Sequence, residues 1–280
     1  MRVRIVTDST SSIPMEIRQA LDITVVPSPI MFGSFSFKDG EIPMSEFYER
    51  LRSSPTPPNT STPSPAEFLE AYTALLREAE AVISIHMMGT KTTIPRVARM
   101  AAEMAPSGRV HVIDSQSTTL GLGLLVMQAA RAAQSGASVA EILRLVEGLI
   151  PGIQIHVAVR EMTQLRRSGR VSLGQALLAN ALSIKPVIRA AGSAIEVVEK
   201  ARGFHHALDR VVSLAQEAAG EAPVDLAVIH SNTPAEGQQL LDRVRSLFNC
   251  REAIVAELGA NLAAHVGPGA LGIATMRLPQ

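Results

Sequence analysis

Residues 110–133 read VHVIDSQSTTLGLGLLVMQAARAA, and this stretch decides the fold. The run VHVID, closing at Asp114, is short and apolar, as a buried strand is. Ser115, Gln116, Ser117, Thr118 and Thr119 then make a hydroxyl-rich loop. The apolar stretch that follows carries glycines at 121 and 123 and is predicted to be a helix. Strand, polar loop and helix form the repeating unit of a parallel sheet covered by helices.

The same order recurs through the first half. Residues 3–6 are a strand and lead into Thr7-Asp8-Ser9-Thr10-Ser11-Ser12, with a helix from Pro14. Ile23–Val26 is a further strand. The run AVISIHM ends near Met87 and leads into Gly89-Thr90-Lys91-Thr92-Thr93. Two helix starts carry capping boxes, Ser64 with Glu67 and Ser138 with Glu141, in which each hydroxyl caps a backbone N–H and each glutamate reaches back. Residues 53–65, SSPTPPNTSTPSP, are a polar, proline-rich loop.

After Pro151 the pattern changes. Residues 153–159 are strand-like, SLGQALLANAL is helical, and IKPVIRAAGSAIEVVEKAR reads as a hairpin turning at Gly192. DLAVIHS, a helix from Pro234, and EAIVAEL complete the half. The predicted class is α/β in two domains. Residues 1–150 form a parallel-sheet domain and residues 151–280 an α/β domain with a mixed or antiparallel sheet.

Composition narrows the function. Lysine plus arginine and aspartate plus glutamate number 26 each, so no charge excess points to nucleic acid or an acidic membrane. Aromatics make up 3% with no tryptophan, which leaves little surface for stacking bases. The single cysteine, Cys250, excludes an internal disulfide framework and fits a reducing compartment. No uninterrupted apolar run reaches the ~18 residues of a membrane span. The expectation is a cytoplasmic protein with no membrane span and no nucleic-acid partner.

Ligands of open α/β sheets bind beyond the carboxyl ends of the strands. Four segments there, including Thr60-Ser61-Thr62-Pro63-Ser64, are rich in hydroxyls and precede helices, where hydroxyls and N–H groups bind anions. Helix capping explains each segment taken singly. No phosphate-binding glycine loop, dinucleotide fingerprint or nucleophile elbow is present. Asp8 and Asp114 stand after strands and, with Mg²⁺, would suit a phosphate-handling enzyme. The spacing of Asp8, His86, Asp114 and His265 carries no metal-ligand signature. Near the C-terminus, His265 precedes Gly267-Pro268-Gly269, a tight turn between the apolar runs 253–258 and 270–276.

Five stretches together resemble the DegV family of bacterial fatty-acid-binding proteins: IVTDSTSSIP (5–14), TSTPSPAEF (60–68), VIDSQSTTLGLG (112–123), RRSGRVS (166–172) and AHVGPGALG (264–272). The resemblance implies a non-enzymatic carrier, without cofactor or metal, that buries a long-chain fatty acid in a tunnel. It presents the carboxylate to a separate fatty-acid kinase for phosphorylation to acyl phosphate. Thr60, Ser61, Thr92, Thr93, Ser115, His265 and Gly267 are the implied ligand-binding residues, and Arg167 and Arg170 the implied kinase-docking residues. Thr62 stands where the family has glutamine, and Thr93 where an ungapped match has glycine. A three-residue slip would instead give Gly89 and Thr90 that role. Ile30, Met31, Phe32, Leu122, Leu124 and Leu125 are candidate tunnel walls or ordinary core. A carrier of a different lipid or amphiphile is the remaining alternative.

Overall fold

The computed structural model describes residues 3–168 and 184–279. Its first part runs β1 (Val3–Asp8), α1 (Met15–Ala20), β2 (Ile23–Val26), β3 (Pro29–Phe32), β4 (Phe35–Lys38), α2 (Met44–Ser53), β5 (Asn59–Thr60), α3 (Pro65–Leu75), β6 (Ala81–His86), α4 (Ile94–Met104), β7 (Val110–Asp114), α5 (Thr119–Gln134) and α6 (Val139–Leu149). It continues with β8 (Ile153–Ala158), α7 (Met162–Ser168), β9 (Ile184–Ala191), β10 (Ala194–Arg202), α8 (Phe204–Ala219), β11 (Val224–His230), α9 (Pro234–Val244), β12 (Cys250–Glu257), α10 (Ala260–Val266) and β13 (Leu271–Arg277).

These strands form three sheets. The first has the order β2-β1-β6-β7 with every pair parallel, as the strand–loop–helix pattern requires. The second has the order β10-β9-β8-β13-β11-β12 and is mixed: β11 and β12 are parallel, and the other neighbours antiparallel. The third, β4-β3-β5, is small and antiparallel. Sequence reading gave this part of the chain parallel strands only. The difference arises at Gly33, whose φ of 58° lets the chain reverse within two residues and pair Phe32 with Phe35. The proline-rich loop also differs, because Asn59 and Thr60 pair with Met31 and Ile30 as β5.

Helix α5 holds the two large sheets together. Its first twelve residues, 119–130, are all buried, so it is apolar on every side, as a helix enclosed within a core is. It packs on β1 of the parallel sheet and on β8, β11 and β13 of the mixed sheet. The two glycines make this possible. A Cβ at Gly121 would lie 2.7 Å from Ile155 Cδ1 and 2.9 Å from Ile153 Cγ2, on β8. A Cβ at Gly123 would lie 2.6 Å from the Ser11 carbonyl, in the 3-10 turn that follows β1. Each glycine therefore lets the helix axis approach a different layer. Farther along, Gln128 donates to the buried Asp225 on β11 at 2.7 Å, and Arg251 pairs with the same carboxylate.

Local sequence signals set the other boundaries. Both capping boxes form as the spacing predicts. Pro14 and Pro43 stand immediately before α1 and α2, where a missing N–H costs nothing. The hairpin of β9 and β10 turns at Gly192 and Ser193, with φ of 53° and 69°. SLGQALLANAL lies outside the described residues. Among those described, no helix is long and apolar enough to cross a membrane.

Candidate functional site

A cavity of about 480 Å³ opens between the carboxyl ends of the parallel strands and one face of the mixed sheet. That volume falls within the range of small-molecule sites. Part of its lining is polar. Thr60, Ser61 and Thr62 reach it from the end of β5, and residues 89–93 reach it after β6. Thr118 and Thr119 reach it from the start of α5, and Asn261 and His265 from α10. The rest of the lining is largely aliphatic, with Ile155 and Val157 of β8, Ile188 of β9, Ile195 of β10 and Ile229 of β11. An amphiphile with an anionic head matches both kinds of lining.

The polar lining is held by bonds between distant parts of the chain. His265 Nε2 lies 2.9 Å from Thr60 Oγ1. Thr62 and Thr93 hydroxyls meet at 2.8 Å. Asp114 accepts from the Gly89 N–H at 2.9 Å and from the Gln116 N–H at 2.9 Å, so its carboxylate is spent on fixing two loops. Thr90 donates to the Ser193 carbonyl at 2.6 Å, and the Ser193 N–H donates to the Gln116 carbonyl at 3.1 Å. The hairpin tip is thus fastened to both loops. Thr119 is β-branched yet has φ of 42°, a strained conformation of the kind that collects at ligand sites.

The segment before Gly267-Pro268-Gly269 is a helix, α10, and not a plain turn between two runs. Its sequence ANLAAHV has no side-chain cap of its own. The Asp39 carboxylate supplies one by accepting from the Ala260 and Asn261 N–H groups. Burial raises the Asp39 carboxyl above its ordinary range, against these bonds. The helix ends at Gly267, φ 78°, and Gly269 also has positive φ, at 81°. Ser231 straps this turn: its hydroxyl donates to the Gly267 carbonyl at 2.6 Å, and its carbonyl accepts from Gly269. The glycines therefore aim His265 and do not line the cavity.

The implied site residues divide accordingly. Thr60, Ser61, Thr92, Thr93 and His265 line one cavity. Ser115 does not. It is fully buried and its hydroxyl closes a local turn with Ser117. Gly267 stands behind His265. Arg167 is exposed in the last turn of α7, and Arg170 lies outside the described residues. The candidate tunnel walls are corrected: none of Ile30, Met31, Phe32, Leu122, Leu124 and Leu125 borders the cavity. Ile30, Leu122, Leu124 and Leu125 belong to the packed core, and Phe32 packs against it. Sequence reading missed Thr10, Lys91 and Asn261 as lining residues. The hydroxyl-loop argument covered Thr10 and Lys91 by position, and nothing in ANLAAHV marks Asn261.

The structure also brings a serine and a histidine of β6 into contact with an aspartate from the distant end of β1. Ser84 Oγ lies 2.6 Å from His86 Nε2, and His86 Nδ1 lies 3.0 Å from Asp8 Oδ2. Burial raises the Asp8 carboxyl, but hydrogen bonds from His86, Thr10 and the Met87 N–H together hold it below its ordinary value. An ionised carboxylate only accepts, so the Nδ1 proton belongs to His86. The arrangement resembles a hydrolytic triad in its bonds but not in its access. Ser84 is fully buried, its hydroxyl is also held 2.9 Å from Tyr72 OH, and neither Ser84 nor His86 lines the cavity. No substrate carbonyl reaches it, and the network is structural. It also commits Asp8, the other carboxylate of the magnesium reading. Among the described residues, no three acidic, histidine or cysteine side chains cluster as a metal site.

Comparison with known proteins agrees with this geometry. Residues 2–278 match the family model described as "Uncharacterised protein, DegV family". A DegV domain-containing protein of Streptomyces coelicolor is 34% identical over 97% of each chain, and Protein DegV of Bacillus subtilis 30% identical over 98% of each. Among solved structures, a DegV family protein of Thermus thermophilus, described for its fatty-acid binding, superimposes with a TM-score of 0.90. It is 32% identical and is covered over 100% of its length by 99% of this chain. DegV of B. subtilis, described as a fatty acid binding protein, superimposes with a TM-score of 0.89 at 29% identity, with 99% of this chain and 100% of that one covered. The strand–loop–helix of residues 110–133, the mixed second sheet and the whole-length matches lead to one assignment: the chain belongs to the DegV family.

Proposed function

We propose that this protein binds a long-chain fatty acid and presents its carboxylate to a separate kinase. The observation that carries the reading is the cavity's mixed lining, hydroxyl groups and His265 together with aliphatic side chains of the mixed sheet. Each methylene moved from water against that aliphatic lining contributes about 0.8 kcal/mol, so a sixteen-carbon chain gains on the order of ten before ordering costs. The tail supplies affinity. Thr60, Ser61, Thr92, Thr93 and His265 select the head, and Gly267 and Ser115 hold the loops around it. The solved relatives described as fatty-acid binders support the same ligand class.

In this reading the chain is a carrier and the chemistry belongs to a cytoplasmic fatty-acid kinase. Arg167 and Arg170, on either side of the glycine at 169 in the sequence, are the proposed docking residues, since basic charge steers and orients an acidic partner surface. Residues 1–150 then supply most of the head-group loops, and residues 151–280 supply most of the acyl walls together with His265. The test is native mass spectrometry of protein purified from bacteria, followed by exchange with a supplied fatty acid. A bound long-chain acid that exchanges supports the reading. A chain that carries none and takes up none overturns it.

A further inference from the structure

Several hydroxyls around the cavity are already engaged within the protein. Thr10 donates to Asp8, Thr60 meets His265, Thr62 meets Thr93, and Thr90 donates to the Ser193 carbonyl. Asn261 differs. It is only 8% exposed, and it lines the same cavity from α10. Among the described residues no hydrogen bond reaches its side-chain amide, and neither amide atom is sealed away from open space. Its place is fixed from the backbone side, because the Asp39 carboxylate accepts from the Ala260 and Asn261 N–H groups.

A carboxamide has an acceptor oxygen and two N–H donors. A ligand that offers only methylenes strips such an amide of solvent and returns no bond, and an unmade buried bond is expensive. A hydroxyl returns one, as donor to the oxygen or as acceptor from the nitrogen. Sites that bond a ligand hydroxyl therefore discriminate against the analogue that lacks it. The helix says where on the ligand that hydroxyl belongs. Asn261 stands four residues before His265 in α10, on the same face and about 6 Å away along the axis. A carboxylate held at His265 brings the first few carbons of its own chain within reach of the Asn261 amide.

We infer that Asn261 is a specificity-determining residue that selects acyl chains bearing a hydroxyl close to the carboxylate, on the second or third carbon. The inference rests on the fatty-acid reading above and deepens it by naming the class of acid. His265 and the hydroxyls near it hold the carboxylate, the aliphatic lining holds the tail, and Asn261 reads the carbons between them.

The test measures dissociation constants of the full chain for hexadecanoate, 2-hydroxyhexadecanoate, 3-hydroxyhexadecanoate and 16-hydroxyhexadecanoate. The 2-hydroxy or the 3-hydroxy acid is expected to bind about tenfold more tightly than hexadecanoate, and the 16-hydroxy acid, whose hydroxyl is at the far tip of the tail, no more tightly. Asn261→Leu is expected to erase that preference while binding hexadecanoate at least as well as the unaltered chain does. If the unaltered chain binds hexadecanoate as tightly as both near-head hydroxy acids, the inference is overturned and the carrier reading stands; this comparison needs no variant. An equal gain for the 16-hydroxy acid also overturns it, since position then plays no part. So does an Asn261→Leu protein that weakens every acid in the same proportion, because the amide would then serve the carboxylate or the packing. Failure to bind any of the four acids sinks the carrier reading, and the inference with it.

Discussion

Thr60 Oγ1 and His265 Nε2 are 2.9 Å apart although 205 residues separate them in the chain. The bond joins the end of a two-residue strand to a helix that the glycine turn aims, and both residues border the same cavity. Thr60→Val keeps the shape and removes the hydroxyl. It is expected to weaken fatty-acid binding by about tenfold to hundredfold, the worth of one hydrogen bond to a charged partner. Displacement of a fluorescent fatty acid measures this, and an unchanged affinity would remove Thr60 from the head-group site.

Gly123→Ala places a methyl 2.6 Å from the Ser11 carbonyl, a backbone atom that cannot swing aside. The helix must shift off the parallel sheet, at an expected cost of about 1–3 kcal/mol. Gly121→Ala meets Ser117 Oγ, Ile155 and Ile153, which are side chains, and part of its strain can relax. Chemical denaturation should therefore rank Gly123→Ala as the more destabilising. The reverse order would mean that α5 is anchored on β8 and not on β1.

Asp8→Asn breaks a fully buried set of bonds, because it turns one of two accepting oxygens into an NH2 donor and leaves either His86 and the Met87 N–H or Thr10 facing it. The expected loss is about 3–5 kcal/mol. Because the Asp8 carboxyl is held below its ordinary value, its contribution is complete above the unfolded value and fades as pH falls below about 4. The Asn variant should lack that acid limb. Ser84→Ala should lower the melting temperature without abolishing any esterase signal specific to this chain. A specific esterase activity that disappears in Ser84→Ala would restore the triad as a catalyst.

His156 lies on β8, almost wholly buried, with Nδ1 unpartnered. Burial, aided by the nearby Arg189, pushes it down to about 4. The unfolded chain then binds a proton that the folded chain refuses. Stability should fall as pH drops from about 6.5 to about 4, by up to ~3 kcal/mol, and this contribution should then level off. His156→Gln should flatten that part of the curve. An unaltered slope would mean that His156 is protonated in the folded chain.

Much of the fold could be read locally. Ser64 with Glu67 and Ser138 with Glu141 fix helix starts through bonds three residues apart, so sequence suffices. The turn at Gly192 is equally local. The hydroxyl-rich loops were visible because strand ends and helix starts are both marked by residue type. The tail walls were not. Apolar periodicity says that Leu122 and Ile155 are buried, and it does not say which of them faces a void. That depends on how α5 divides the space between two sheets. Helix α10 escaped notice because its N-terminal cap, Asp39, lies more than 200 residues earlier. The Ser84–His86–Asp8 contact was hidden for a similar reason: β1 and β6 are neighbours only once the sheet forms.

The fastening of Ser193 bears on how fast cargo changes hands. Two hydrogen bonds hold the hairpin tip, one to Gln116 and one from Thr90, and the Thr90 bond is exposed to water. Exposed bonds of this kind are worth about 1 kcal/mol each, against an acyl burial on the order of ten. The tip can therefore lift and reseat as a loop-scale motion, on roughly nanosecond to microsecond times, while both cores stay packed. On the proposed carrier reading, a bound tail would be held for a time set by the aliphatic lining and would exchange without unfolding, so its release rate should respond to Ile188 and Ile195, on the two arms behind that tip.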